Sequence, residues 1–216
     1  MAKKESTFLN MLITLIVVTS LASFTLASVY NLTKEPIAKA REAAKQRAIS
    51  MVVPEYDNLE TKLIKAFDGT DSLEFNLAYK NNELVGIAVD SYTNSGFSGK
   101  IRAMVGLYPD GRIYDVVHLE HEETPGLGDK IDKSKSDWSD QFKDFDPTEK
   151  TLKVDKDGGD IDAITAATIT ARAYCDAVNR AYMTFKENDD ILMETSTDDA
   201  PENDKNNDYI TQKEGE

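Results

Sequence analysis

Residues 101–121, IRAMVGLYPDGRIYDVVHLEH, contain two apolar runs on either side of Pro109-Asp110-Gly111. Pro followed by Asp and Gly is typical of a tight turn. Both runs have the apolar content of half-buried strands, so this stretch predicts an antiparallel hairpin. An upstream pair of runs, at 73–80 and 84–92, flanks Asn81-Asn82-Glu83 and predicts a second hairpin.

Helical patterns lie on either side of these strands. Residues 35–53 are rich in helix formers, with Thr33 as a candidate cap and Pro36 in the predicted first turn. Shorter patterns predict a helix at 136–142, a strand at 152–154 and a final helix at 168–186. Helix, strands and then helix indicate a single α+β domain, which we place at 31–186.

The chain begins with an apolar segment. After a short segment at 1–7, residues 8–30 form a 23-residue run without a charge. A membrane-spanning helix needs about 20 apolar residues, whereas the apolar region of a cleaved signal peptide has about 7–15. We therefore predict a transmembrane helix at 8–30. The basic residues that follow it favour a cytoplasmic domain, although this rule is weak when a long domain follows the span.

Composition excludes several kinds of site. One Cys and two His rule out a disulfide within the chain and disfavour a cluster, a structural zinc site or a haem. The formal net charge of −14 disfavours a nucleic-acid partner. Residues 187–216 hold eleven acidic residues and two Lys, a net of −9, with few large apolar side chains, and we predict an acidic disordered tail there.

One candidate site is the entry to the last helix, where Gly158-Gly159 precedes Thr165, Thr168 and Thr170. Small residues separate the three Thr and allow a bulky ligand to approach the backbone. The amides at a helix N-terminus favour phosphate, and a Thr hydroxyl there could carry a phosphoester. An ordinary Thr cap on a helix of small residues is the alternative.

Two further segments are Gly-rich. Pro125-Gly126 predicts a type II turn with positive φ at Gly126, from which Leu127 would project onto a flat ring. A plain surface turn is the alternative. Residues 95–107 indicate a Gly-rich turn that enters a strand. His118 and His121, three residues apart on a strand, are expected on opposite faces, and Cys175 is expected to be a small core residue.

Together and in this order, after one span, these segments resemble the G subunit of the Rnf electron-transport complex, also called Rsx. They are more distantly similar to the C subunit of the sodium-pumping NADH:quinone reductase. In both families an FMN-binding domain holds FMN through a phosphoester to Thr. The family's motif is Asp, two variable residues, Ser or Thr, Gly, Ala, Thr, one variable residue and the modified Thr. Here it corresponds to DAITAATIT at 162–170, with Ala166 in place of the usual Gly.

The resemblance implies roles for particular residues. Thr170 would be the phosphoester acceptor, and Asp162, Thr165 and Thr168 would belong to the recognition pattern. The sequence ETPGLG at 123–128 matches the loop expected near the flavin. That loop adds four candidate cofactor-binding residues: Glu123, Thr124, Gly126 and Leu127.

The resemblance also implies a function. The chain would be an electron carrier within a translocase that couples ferredoxin and NAD electron transfer to movement of Na⁺ or H⁺. Its partners would be the other membrane subunits, the lipid bilayer and a flavin transferase that uses FAD and Mg²⁺. The implied location is the bacterial inner membrane, with the FMN domain on the periplasmic side. A quinone-reductase C subunit and a flavin-free assembly subunit are the alternatives.

Overall fold

The computed structural model describes residues 7–190. They fall into two units, Met1–Met51 and Val52–Glu216. The acidic tail predicted at 187–216 lies outside the described residues from 191 onward, as does the N-terminal segment at 1–7 except for Thr7. Both stay predictions, as do the other domain boundaries.

The described part of the first unit is helical and belongs to α1, which runs from Phe8 to Val52 over 45 residues. Its most apolar 18-residue window has a mean hydropathy of 2.2, and none of that window is buried in the structure. At about 1.5 Å per residue the helix is about 68 Å long, whereas the hydrocarbon core of a bilayer is about 30 Å thick. Length and composition therefore suit a single-pass membrane anchor.

The start of a new helix at Thr33 is a wrong prediction. Helix α1 continues through this point, and Pro36 lies inside it. The Thr33 hydroxyl donates to the carbonyl oxygen of Val29, 2.9 Å away, one turn earlier in the same helix. A Thr that bonds back to residue i−4 fits a helix interior, so the cap pattern at Thr33 is misleading.

The second unit contains a five-stranded sheet in which each strand pairs antiparallel with the next along the chain. The strands are β1 Asn58–Lys65, β2 Ser72–Lys80, β3 Glu83–Thr93, β4 Ile101–Leu107 and β5 Ile113–His121. Both predicted hairpins are present, as β2–β3 and β4–β5. The predicted α+β class is confirmed.

Turn chemistry explains the two hairpins. Asn81 and Asn82 have φ values of 52° and 65° and form the two-residue loop between β2 and β3. Positive φ at both positions is the requirement of the turn that best matches strand twist. In the β4–β5 turn, Gly111 has φ 88° and its N–H donates to the Tyr108 carbonyl at 2.9 Å.

Three short elements differ from the expectations. Strand β1 has no counterpart in the sequence prediction, because its NLETKLIK pattern is mostly exposed. At 152–154 there is no strand but only one isolated bridge, from Val154 to Ile161, directly before a 3-10 turn at Asp155–Asp157. The short helix predicted at 136–142 is present as the 3-10 turn Trp138–Phe142.

The half-burial expected for the β4–β5 hairpin is wrong for β4, where only Arg102 is not fully buried. The final helix, α2 Thr168–Glu187, packs against β3 and β4 and covers one face of both strands. Two hydroxyls on β3 fix the position of α2. The Ser91 hydroxyl donates to the Ala177 carbonyl at 2.7 Å, and the Thr93 hydroxyl donates to the Asp176 carboxylate at 2.6 Å.

A buried arginine also holds α2 on the sheet. The Arg180 guanidinium pairs with Asp68, 3.0 Å away, and with Asp71, and it lies 4.5 Å from the centre of the Tyr92 ring. The hydrogen bond from Arg180 is the main reason that the pKa of Asp68 falls to about 2. These contacts fix α2, and with it the N-terminal turn that carries Thr168 and Thr170.

Candidate functional site

A cavity of about 330 Å³ opens at the N-terminus of α2. This is within the size range of small-molecule sites, roughly 300–1,000 Å³. Three segments that are far apart in the sequence form its wall: the β3–β4 connection, the loop after β5 and the start of α2. The lining residues are Phe97, Glu123, Thr124, Leu127, Gly128, Ala166, Ala167, Thr168, Ile169 and Thr170.

The eight candidate residues fall into two groups, those that line the cavity and those that do not. Five of them line it: Glu123, Thr124, Leu127, Thr168 and Thr170. The other three, Asp162, Thr165 and Gly126, are exposed and are not part of the lining. Phe97 and Gly128 also line the cavity, although neither was among the predicted site residues.

At the base of the cavity, Glu123 and Thr170 are in direct contact. The Thr170 hydroxyl donates to Glu123 Oε2 at 2.6 Å. Glu123 is 5% exposed and Thr170 is 1% exposed. The other carboxylate oxygen, Oε1, accepts the backbone N–H of Ser98 at 3.1 Å. A buried carboxylate is thus held in place on one side and bonded to the Thr hydroxyl on the other.

Two glycines make room for this carboxylate. A Cβ on Gly96 would lie 2.8 Å from Glu123 Oε1 and 2.3 Å from the Gly99 carbonyl oxygen. A Cβ on Gly128 would lie 2.7 Å from Glu123 Oε2 and 2.9 Å from Thr170 Oγ1. Any side chain at either position would push against the Glu123–Thr170 pair, which explains both glycines.

The loop after β5 carries apolar side chains to the mouth of the cavity. Gly126 has φ 78°, as predicted for the Pro-Gly turn, and its N–H donates to Asp129 Oδ1 at 2.7 Å. Leu127 projects from this loop with 42% of its surface exposed. Together with Phe97 and Ile169, which are also exposed, it gives the cavity an apolar rim that suits a flat aromatic ring.

The N-terminus of α2 is left open for an anion. Its N-cap residue, Ala167, makes no side-chain cap, so the alternative of an ordinary Thr cap is wrong. The amides of an uncapped first turn and the helix dipole favour a phosphate. The Lys156 ammonium donates to the Thr168 hydroxyl at 3.1 Å and adds positive charge at this end.

Backbone contacts fix the approach to α2 at Asp162. Its carbonyl accepts the Trp138 indole N–H at 2.6 Å, and its N–H donates to Gln141 Oε1 at 2.7 Å. The Asp162 side chain and Thr165 are exposed. Neither residue is part of the cavity lining.

Ala166, which stands where the motif usually has Gly, has φ 64°. This left-handed conformation costs an L-residue about 1–2 kcal/mol and costs Gly almost nothing. The usual Gly therefore suits the left-handed backbone at this position, whereas Ala166 adopts the same conformation with strain.

We expect Ala166→Gly to stabilise the chain by about 0.5–1 kcal/mol, because relief of the strain exceeds the added entropy of the unfolded state. Ala167→Gly is the matched control. Ala167 has φ −139°, which any residue adopts, so the same change there should destabilise. Urea unfolding measures both variants, and equal losses of stability would contradict the strain at Ala166.

The structure corrects the expected placement of the histidines. His118 and His121 lie on the same side, with ring centres 5.2 Å apart. An irregularity in the β4–β5 pairing shifts the register between Arg102 and Ala103, so the alternation of faces is broken. The His121 Nδ1 accepts the Glu123 N–H at 3.2 Å and thereby holds the start of the cavity loop.

Cys175 is a core residue, as expected. It is 3% exposed, and burial raises the pKa of its thiol to about 12. The side chain therefore stays a neutral thiol at physiological pH and is not a nucleophile.

Comparison with known proteins agrees with this site. The FMN-binding domain family matches residues 96–183, a range that contains every residue lining the cavity. Similar proteins include the G subunit of the ion-translocating oxidoreductase complex of Shewanella piezotolerans, with 35% identity over 77% of this chain and 84% of the relative. The chain belongs to this G subunit family.

Two further members show the same extent of similarity. The G subunit from Shewanella amazonensis is 38% identical over 75% of this chain and 80% of its own length. The G subunit from Haemophilus influenzae is 35% identical over 79% of this chain and 86% of its own length. Membership of the family therefore extends over most of the chain and includes more than the cavity motifs.

Proposed function

We propose that this chain is the FMN-carrying electron-transfer subunit of an Rnf-type ion-translocating oxidoreductase complex. The observation that carries the proposal is the cavity at the N-terminus of α2, formed by the family's three motifs. The flavin-free alternative rested on Ala166, but Ala166 keeps the left-handed conformation that Gly would provide. Since the substitution leaves the cavity in place, the flavin-free alternative is not favoured.

The cavity fits FMN in its two chemically distinct parts. Phe97, Leu127 and Ile169 offer apolar contact to the isoalloxazine ring. The uncapped first turn of α2 offers amides to the phosphate. Bound FMN supplies one- and two-electron transfer, while the protein supplies position and electrostatics.

Thr170 is our proposed site of covalent attachment. Of the three candidate hydroxyls, that of Thr165 is exposed and outside the cavity, which leaves Thr168 and Thr170. Thr168 accepts a hydrogen bond from Lys156, whereas the Thr170 hydroxyl is bonded to a carboxylate within the cavity. A hydroxyl that already donates its proton to a base is the better nucleophile of the two. Attachment would be a phosphoester made by a flavin transferase from FAD and Mg²⁺.

The test is covalent labelling of the whole chain. We expect that co-expression with a flavin transferase gives a flavin-fluorescent band that survives denaturation in a gel, and that omission of the transferase gives a dark band. A fluorescent band without any transferase would contradict the enzymatic route. A dark band with an active transferase present would contradict covalent FMN.

Helix α1 and the family together support a membrane location. We propose a single pass through the bacterial inner membrane, contact with the other membrane subunits of the complex, and a domain on the periplasmic side. Alkaline phosphatase fused after Lys186 is active only when exported, and we expect it to be active. An inactive but expressed fusion would place the domain in the cytoplasm.

A further inference from the structure

The contact between Glu123 and Thr170 has the geometry of a base and its nucleophile. We infer that Glu123 is the base that removes the hydroxyl proton of Thr170 when the phosphoester forms. This inference rests on the proposed attachment of FMN to Thr170. It assigns a step of the maturation reaction to the chain that receives the flavin.

Distance and orientation support the assignment. An activated nucleophile typically lies about 2.6–3.2 Å from its base, and a third group orients the base. Here the Thr170 hydroxyl donates to Glu123 Oε2 at 2.6 Å, and the Ser98 N–H holds Oε1 at 3.1 Å. The structure contains all three members of that arrangement.

The surroundings leave Glu123 as the available base. Among the ten residues that line the cavity, it is the only one with an acidic or basic side chain. The adjacent Gly96 and Gly128 prevent crowding of its two oxygens, since a Cβ on either would lie within 2.8 Å of the carboxylate. Lys156, a basic group at this end of α2, bonds to Thr168 instead.

The step balances as a phosphoryl transfer from FAD. The Thr170 Oγ attacks the phosphorus of the FMN half of FAD, and an Oγ–P bond forms. The bond from that phosphorus to the bridging oxygen breaks, and AMP leaves with the bridging oxygen. The proton from Thr170 passes to Glu123 Oε2 and from there to water at the mouth of the cavity. No oxidant or reductant is consumed.

Glu123→Gln tests the inference because Gln keeps the size and one oxygen that accepts the Thr170 hydroxyl, but it cannot take the proton. Its NH₂ group cannot also accept the Ser98 N–H, so Glu123→Asp, which keeps two accepting oxygens, is measured beside it. The full chain in detergent is mixed with FAD, Mg²⁺ and excess flavin transferase, and covalent flavin is followed with time. We expect the rate to fall about 100-fold, the lower range for loss of a general base.

Glu122→Gln is the matched control, because Glu122 is exposed and adjacent, and it should label at the wild-type rate. Glu123→Asp keeps a carboxylate but withdraws it by one methylene, so its rate should fall between the wild type and Glu123→Gln. Thermal unfolding of each variant checks the fold, and Glu123→Asp decides the matter if Glu123→Gln does not fold.

The outcomes separate the inference from the proposed function. If Thr170→Ala is dark while Glu123→Gln labels at the wild-type rate, the inference is wrong and the attachment site stands. A folded Glu123→Asp chain that labels as slowly as Glu123→Gln would equally overturn the inference, because restoring a carboxylate would then restore no activity. If Thr170→Ala still labels, the proposed attachment itself fails.

Discussion

Thr170→Ala is expected to abolish covalent flavin while the chain remains folded and inserted. Among the residues that line the cavity, Thr170 alone has a hydroxyl bonded to a carboxylate, and the variant removes it. The variant leaves Glu123 Oε2 without this partner, at a cost of about 1–3 kcal/mol. This is less than the roughly 5–15 kcal/mol that stabilises a domain, so the protein should still be recovered in the membrane fraction. Gel fluorescence after denaturation, divided by protein stain, measures the effect.

Two Thr variants serve as controls for this result. Thr170→Ser keeps a hydroxyl within reach of Glu123 and should retain a fluorescent band. Thr168→Ala removes the neighbouring cavity hydroxyl, which bonds to Lys156 rather than to an acid, and should also retain one. A bright Thr170→Ala together with a dark Thr168→Ala would move the attachment to Thr168.

Gly106→Ala is expected to destabilise the second unit strongly. A Cβ at this position on β4 would lie 1.6 Å from the carbonyl oxygen of Val52. Because that atom belongs to the backbone, neither side can move without disrupting the sheet. Overpacking of this kind costs about 3 kcal/mol or more, a large part of the roughly 5–15 kcal/mol that stabilises a domain.

Gly86→Ala is the matched control on the neighbouring strand. Its Cβ would lie 2.9 Å from Pro54 Cδ and 3.1 Å from Val53 Cβ, so the shift needed to relieve this contact is far smaller than the one needed at Gly106. We expect a loss of about 1 kcal/mol for this variant. Expression of the full chain and its urea unfolding in detergent compare the two, and equal stabilities would contradict the close approach at Gly106.

The sequence predicted the parts of the fold in which local chemistry and the tertiary structure agree. The Asn81-Asn82 and Pro109-Asp110-Gly111 turns have the residues that their backbone angles require, so both hairpins were found. Strand β1 was missed because it is an edge strand with exposed side chains. Thr33 and Pro36 looked like a helix start, yet α1 continues through them, because capping residues also occur inside helices.

The site was predicted as three separate motifs, and the contacts among them were not. Glu123 and Thr170 are 47 residues apart in the sequence, and only the packing of α2 on the sheet brings them together. Gly96 and Gly128 were visible as turn residues, but their role in making space for a carboxylate was not. The irregularity that brings His118 beside His121 likewise leaves no mark in the local sequence.

The measurement that bears most directly on covalent FMN at Thr170 is tandem mass spectrometry of the labelled chain. Cleavage after Lys156 and Arg172 releases residues 157–172, which contain Thr165, Thr168 and Thr170. We predict that this peptide carries the mass of one FMN less one water, with the added mass on Thr170. An unmodified peptide from fluorescent protein, or the added mass on Thr165 or Thr168, would contradict attachment at Thr170.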